Sequence, residues 1–242
     1  MIAGQPDPSQ PSFPPMFRGE ALRADMDPFA KAVSSSMRGI DPGLIVWSED
    51  TTSARAALVL APEEPLERAI AVVFAATLGL SDSLGALAPP EVAVHFVWPD
   101  RIKINGALCG HVKAAASTST PGEEPNWLVV GIDVPLLPVR DNEPGSTPDQ
   151  TTLAEEGCSE ITVAELLSSW SRHTLVWLNR YMDDGMGPLH GAWRDKCDTI
   201  GEVLEAPHAG VFMGLDELGG MLLKEASGTH SIPLTQILET KS

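Results

Sequence analysis

The chain has 242 residues, 43% of them hydrophobic and 20% charged. That is a globular composition, with room for one core of about 150–200 residues and a small appendage. Sixteen Lys and Arg against 33 Asp and Glu give a net charge of −17, a field that repels phosphate backbones and anionic lipid, so nucleic acid and membrane surfaces are not expected partners.

No continuous apolar run reaches the roughly 18 residues needed to cross a bilayer. Met1–Pro15 lacks the apolar stretch of a signal peptide. Cys109, Cys158 and Cys197 show no C-x-x-C spacing, which suits reduced thiols in the cytoplasm and predicts neither a disulfide framework nor a metal site.

Residues 1–16, with Pro6, Pro8, Pro11, Pro14 and Pro15, read as a mobile tail or a surface strap. A helix is predicted over Asp27–Met37, with Asp27 as N-cap and Pro28 at the first helical position. Short apolar runs predict strands at Leu44–Trp47 and Ala56–Leu60. Leu66, Ile70, Val73 and Phe74 mark one face of a helix running to about Leu84.

Glu91–Trp98 is apolar on both alternating faces and reads as a strand covered on both sides. Asn105-Gly106 lies between two strand-like runs and predicts a two-residue type I′ hairpin, whose turn positions both need positive φ. Trp127–Leu136 reads as a buried strand. Ser117–Pro125 is a polar loop, and residues 138–150, with Pro138, Pro144, Gly145 and Pro148, form another.

Thr162 and Glu165 make a capping box for a long helix. Its stripe of Val163, Leu166, Leu167, Trp170, Thr174, Trp177, Leu178 and Tyr181 is core packing. Asp184-Gly185 ends it, and a short helix follows over Pro188–Arg194. Beyond Cys197 the pattern changes to short strands, Ile200–Leu204, Gly210–Leu215, Met221–Lys224 and His230–Leu234, with Gly219-Gly220 and Ser227-Gly228 as turns. The division is a tail over 1–16, a core over 17–197 and a small β unit over 198–242. The class is α+β, with a mixed sheet in the core.

A regular two-residue hairpin pairs Ile104 with Ala107, Lys103 with Leu108, Ile102 with Cys109, Arg101 with Gly110 and Asp100 with His111. Opposed residues project from one face about 4.5–5.5 Å apart at Cβ. Asp100, Cys109 and His111 are therefore expected on one face, a set that could serve as orienter, nucleophile and base. A cysteine inside a strand is also a small buried hydrophobe, and an Asp–His pair a modest contact at a sheet edge. His95, His173 and His190 have no ligand-spaced partners. Asp183-Asp184 and Glu155-Glu156 read as solvated helix ends or faces.

The order of motifs resembles the biotin/lipoate–protein ligase family. Trp98-Pro99-Asp100-Arg101 stands in the place of a W-P-N-D motif. Asn105-Gly106-Ala107-Leu108-Cys109-Gly110-His111 stands in the place of N-G followed by K-L-A-G-I, and Val130-Gly131-Ile132-Asp133-Val134 in that of G-I-G-I-N-V. Thr151–Gly157 resembles the segment before the family's long helix, and Trp193-Arg194 the end of its last core helix. Gly214-Leu215-Asp216 and Gly220-Met221-Leu222-Leu223 resemble its SH3-like C-terminal domain. The resemblance implies a mixed-sheet ligase-like core with that β domain, and ligand contacts at Arg101, Asn105, Gly106, Gly110 and Gly131.

The departures bear on chemistry. The family's G-R-G-R-x-G-R loop, suited to an acyl-adenylate by its arginine donors, corresponds to Glu49–Arg55, which has one arginine and no glycine. The family lysine falls on Ala107, and the Asn of G-I-G-I-N-V on Pro135. Three functional classes stay open. The first is a diverged or non-catalytic binder of a small acid or an acyl-carrying domain. The second is an active ligase, the only one of the three that implies ATP with biotin or lipoate as cofactor and substrate. The third is an acyl transferase using Cys109, His111 and Asp100. A homodimer is an open possibility.

Overall fold

The computed structural model describes residues 9–138, 149–205 and 208–238. The first eight residues of the N-terminal tail, residues 139–148 of the second polar loop and residues 239–242 of the β unit lie outside the described residues. Residues 9–16 form a strap whose Ser12 N–H donates to Ser168 Oγ at 2.8 Å, and the Phe13 ring packs beside Gly19.

Seven strands make the main sheet: β1 (Arg18–Leu22), β2 (Leu44–Ser48), β3 (Ser53–Leu60), β4 (Val94–Val97), β5 (Arg101–Ile104), β6 (Ala107–Ala116) and β7 (Leu128–Pro135). Their order is β1-β2-β3-β7-β6-β5-β4. Only β1 and β2 pair in parallel, and the other neighbours are antiparallel. β1 lacks a signal in the sequence, because Arg18 and Glu20 break any apolar alternation. β4 was expected to be covered on both faces. It is instead an edge strand whose Phe96 alone is fully buried, since Phe96 N–H donates to Lys196 O rather than to a further strand.

Helices cover the two faces unequally. Helix α1 (Pro28–Ser36) starts where the sequence predicts, with Asp27 Oδ1 accepting from Phe29 N–H at 2.8 Å. It packs with Leu22, Leu44, Val46, Ala57, Val59, Ala115, Trp127 and Val129 on one face of the sheet. The other face carries the larger core, under α2 (Leu66–Ala69), α3 (Val72–Leu87), α4 (Val163–Asp184) and α5 (Met186–Arg194). The single helix expected from Leu66 is thus two helices.

The Leu66–Leu87 stretch is long and apolar enough to cross a membrane by length and composition, which corrects the reading that no such run exists. In the fold 78% of that window is buried against the sheet and α4. Helices α3 and α4 approach closely at Gly79, where a Cβ would lie 2.7 Å from Thr174 N. The predicted capping box of α4 is formed: Thr162 Oγ1 accepts from Glu165 N–H at 3.2 Å, and Glu165 Oε2 accepts from Thr162 N–H at 3.0 Å.

The C-terminal strands β8 (Val203–Leu204), β9 (Gly210–Leu215), β10 (Met221–Glu225) and β11 (Gly228–Ile232) form a separate antiparallel sheet, consistent with an SH3-like unit. Phe212, Leu223 and Ile232 belong to the same apolar core as α3 and the main sheet. Trp98 Nε1–H donates to Gly219 O at 2.9 Å and Lys103 Nζ to Asp198 Oδ2 at 3.0 Å, joining this unit to the hairpin.

Candidate functional site

The Asn105-Gly106 turn is present, with φ of 49° and 94°, and the first two expected pairs of the hairpin hold. The register then shifts. Ile102 faces Gly110 and Arg101 faces His111, leaving Cys109 as the extra residue of a β-bulge. The expected Asp100–His111 and Ile102–Cys109 pairs are therefore not formed. Gly110 has φ of 151° and lies so close to β7 that a Cβ on it would meet Asp133 O at 2.8 Å.

The bulge separates the three residues expected on one face. Cys109 is 1% exposed, packs in the helix-covered core with Ile102 and Val112, and its Sγ lies 3.9 Å from Pro135 O. Burial, reinforced by Glu156, pushes its thiol up to about 12. His111 pairs with Asp133 of β7 and so points to the opposite face. Burial holds its imidazole below the usual value, and Asp133 opposes that shift. Asp100 stays close to both Arg101 and His111, and burial raises its carboxyl. Ala107 pairs with buried Ile104, so the position assigned to the family lysine projects toward the helix-covered side.

The other expected contact residues divide by role. Asn105 is structural: its Oδ1 accepts from Ala93 N–H at 2.9 Å and its Nδ2–H donates to Glu156 Oε2 at 2.8 Å. Gly106 completes the turn, with nothing near a would-be Cβ. Arg101 is exposed and lies 3.7 Å from Asp100 Oδ1. Glu155 is exposed as expected and accepts from Thr152 N–H at 3.0 Å, while the half-buried Glu156 accepts from Thr151 Oγ1 at 2.6 Å.

Gly131 leads to a cleft. On the face opposite Cys109, register places Arg55, Asp133, His111 and Arg101 side by side across β3, β7, β6 and β5. The neighbouring row is Ala57, Gly131 and Lys113. Helix α1 covers the sheet up to Phe29, whose ring occupies the space above Gly131, 2.7 Å from where a Cβ would stand. Beside that ring is a cleft of about 100 Å³ lined by Asp27, Phe29, Arg55, Lys113, Gly131 and Asp133, among others.

Hydrogen bonds order the cleft walls. Ser53 Oγ–H donates to Asp133 Oδ1 at 2.7 Å. Arg55 Nη2–H is shared by Ala24 O at 2.6 Å, Ser48 Oγ at 3.2 Å and Asp50 Oδ2 at 3.2 Å. Arg55 Nε is buried with no hydrogen-bond partner among the described residues. Lys113 Nζ sits 5.9 Å from the centroid of the Phe29 ring.

Residues 13–195 match the biotin/lipoate A/B protein ligase family. The chain belongs to that family. Residues 200–240 match a domain of unknown function (DUF4444). Over 199 residues, 79% of this chain and 82% of the relative, the sequence is 27% identical to a biotin–[acetyl-CoA-carboxylase] ligase of Paracoccus denitrificans. Among solved structures, a biotin protein ligase-like protein of unknown function from Silicibacter is 46% identical, with a TM-score of 0.89 over 96% of this chain and all of that one. The biotin protein ligase of Aquifex aeolicus shares the fold, at 18% identity and a TM-score of 0.69, over 90% of this chain and 96% of that one.

Within the family frame, the stretch in place of the basic loop, Glu49–Arg55, and the strand in place of G-I-G-I-N-V both border the cleft, through Arg55 and Gly131–Asp133. The hairpin's second strand supplies Lys113. Lys113, Asp133 and Phe29 are not among the site residues expected from the sequence. Continuing the alternation of β6 two residues past His111 reaches Lys113, and Asp133 is a lone charge in an apolar strand. Phe29 carries no such signal.

A larger open depression of about 670 Å³ lies on the C-terminal sheet, between Val203–Glu205 and Lys224–Ala226. It shares no residue with the family segments and lacks converging buried polar groups, so the smaller cleft is the better candidate. No group of three His, Cys, Asp or Glu side chains among the described residues could hold a metal ion.

Proposed function

We propose that this chain binds a small carboxylic acid or an acyl group, free or carried by a partner domain, in the cleft between Arg55 and Lys113, and that it is not a working biotin ligase. The observation that carries this reading is Arg55. Register sets it on the same sheet face as Lys113, and both cations line the cleft. A carboxylate between them would gain charge-assisted interactions. Asp133 and Asp27 are each already engaged, by Ser53 Oγ–H and Phe29 N–H, which tempers their repulsion of an anion.

Retained ligase activity is the second reading, favoured by the Paracoccus relative, whose name specifies biotin and acetyl-CoA carboxylase. Against it stands size. Pockets for drug-sized ligands hold about 300–1,000 Å³, whereas this cleft holds about 100 Å³. A cysteine-dependent transferase is the least supported, since Cys109 and His111 lie on opposite faces of the sheet.

A thermal-shift panel of carboxylic acids, ATP and acyl-adenylates tests the proposal. An acid at about 100 times its Kd stabilises the native state by about 2.7 kcal/mol, a rise in Tm of roughly 5–11 °C for a chain of this size. The rise is expected with acids, not with ATP, and is expected to vanish in Arg55→Met. A panel in which no acid shifts Tm, or in which only ATP with biotin does, overturns it.

A further inference from the structure

We infer that Phe29 is the residue that sets ligand length, restricting the cleft to short-chain acids; this rests on the acid-binding reading above. The inference begins at the start of α1. Asp27 accepts from Phe29 N–H at 2.8 Å, and Pro28 fixes the first helical φ. The ring is thereby held over Gly131, where a side chain would collide with it: a Cβ there would stand 2.7 Å from the ring. Phe29 is 7% exposed and is packed with Ala32, Ala57 and Val129.

The ring separates two environments on one sheet face. On one side is the polar row of Arg55, Asp133 and His111, with Lys113 in the next row. On the other, the sheet floor beneath α1 consists of Ala57, Val59, Ala115 and Val129. The cleft, about 100 Å³, is small beside the pockets that hold drug-sized ligands. A carboxylate facing Arg55 therefore leaves space for a short alkyl stub that stops against Phe29. Without the ring, an alkyl chain would enter the space the ring leaves above Gly131, where burying its methylenes adds to affinity.

The test is calorimetric titration of the wild type, Phe29→Leu and Phe29→Ala with acetate, propionate, butyrate, hexanoate and octanoate. The wild type is expected to bind the three short acids and to weaken at least tenfold at hexanoate. Phe29→Ala is expected to gain at least tenfold for octanoate, with Phe29→Leu in between. Phe29→Leu keeps an apolar anchor at the α1 N-terminus, so it carries the test if the alanine variant does not fold. Binding with the same chain-length ranking in all three proteins overturns the role of Phe29 and leaves the acid-binding reading standing. No binding of any acid by any of the three overturns the acid-binding reading itself, and the inference with it.

Discussion

Arg101, not Asp100, stands opposite His111, because Cys109 and Gly110 together face the single residue Ile102. That one-residue bulge decides which side of the sheet each candidate group occupies. It turns Cys109 into the helix-covered core and leaves His111 on the open face beside Asp133. A register change of one residue reverses the face of every side chain beyond it.

Gly110 is the residue the bulge depends on. Its φ of 151° suits glycine, and a Cβ would press on Asp133 O at 2.8 Å. Gly110→Ala is expected to destabilise the fold by about 1–3 kcal/mol, the usual range for a strained backbone position. Urea denaturation reads this directly, and a change below about 0.5 kcal/mol would show that the backbone there yields freely.

Cys109 is expected to resist alkylation in the native protein. With its thiol pushed up to about 12, the thiolate fraction at pH 8 is about one part in ten thousand. Labelling by iodoacetamide at Cys109 should therefore follow global unfolding, with a rate that rises as denaturant is added. Rapid modification at neutral pH without denaturant would revive the transferase reading.

Biotin transfer is expected to be absent or very weak when the protein is incubated with biotin, ATP and an acceptor domain. Glu49–Arg55 provides a single arginine, and Ala107 projects away from the cleft. An adenylate phosphate needs several charge-assisted donors at once. Turnover comparable to that of a competent ligase would refute this expectation.

His111 is expected to make the protein acid-sensitive. Burial lowers its pKa in the fold, against the influence of Asp133 and Asp100 and together with that of Lys113 and Arg101. Above the ordinary value of about 6.5 both folded and unfolded chains hold it neutral. As pH falls through that value the unfolded chain takes up a proton that the folded chain resists, so stability is lost on acidification. His111→Gln removes this contribution. The wild type should therefore lose more stability than the variant between pH 7.5 and pH 5.5; equal losses would show that the imidazole titrates alike in both states.

Local chemistry was legible in the sequence wherever a feature is closed by neighbours in the chain. Asp27 and Pro28 mark the start of α1, Thr162 and Glu165 cap α4, and Asn105-Gly106 specifies the hairpin, because each rests on backbone groups within a few residues. The order of motifs likewise marked the family. β1 was invisible because its strand pairing, from Arg18↔Leu44 onward, is parallel and comes from a distant segment. The bulge was invisible because it sits where Gly110 lies close to Asp133 of β7, 23 residues along the chain (133 against 110). The cleft is the extreme case. Phe29, Arg55, Lys113 and Asp133 come from four elements, and only sheet register and the seat of α1 bring them together. The sequence by itself determined the elements, their caps and the family. The tertiary structure decided which faces those elements share, because strand register and close backbone approach depend on contacts that no local pattern encodes.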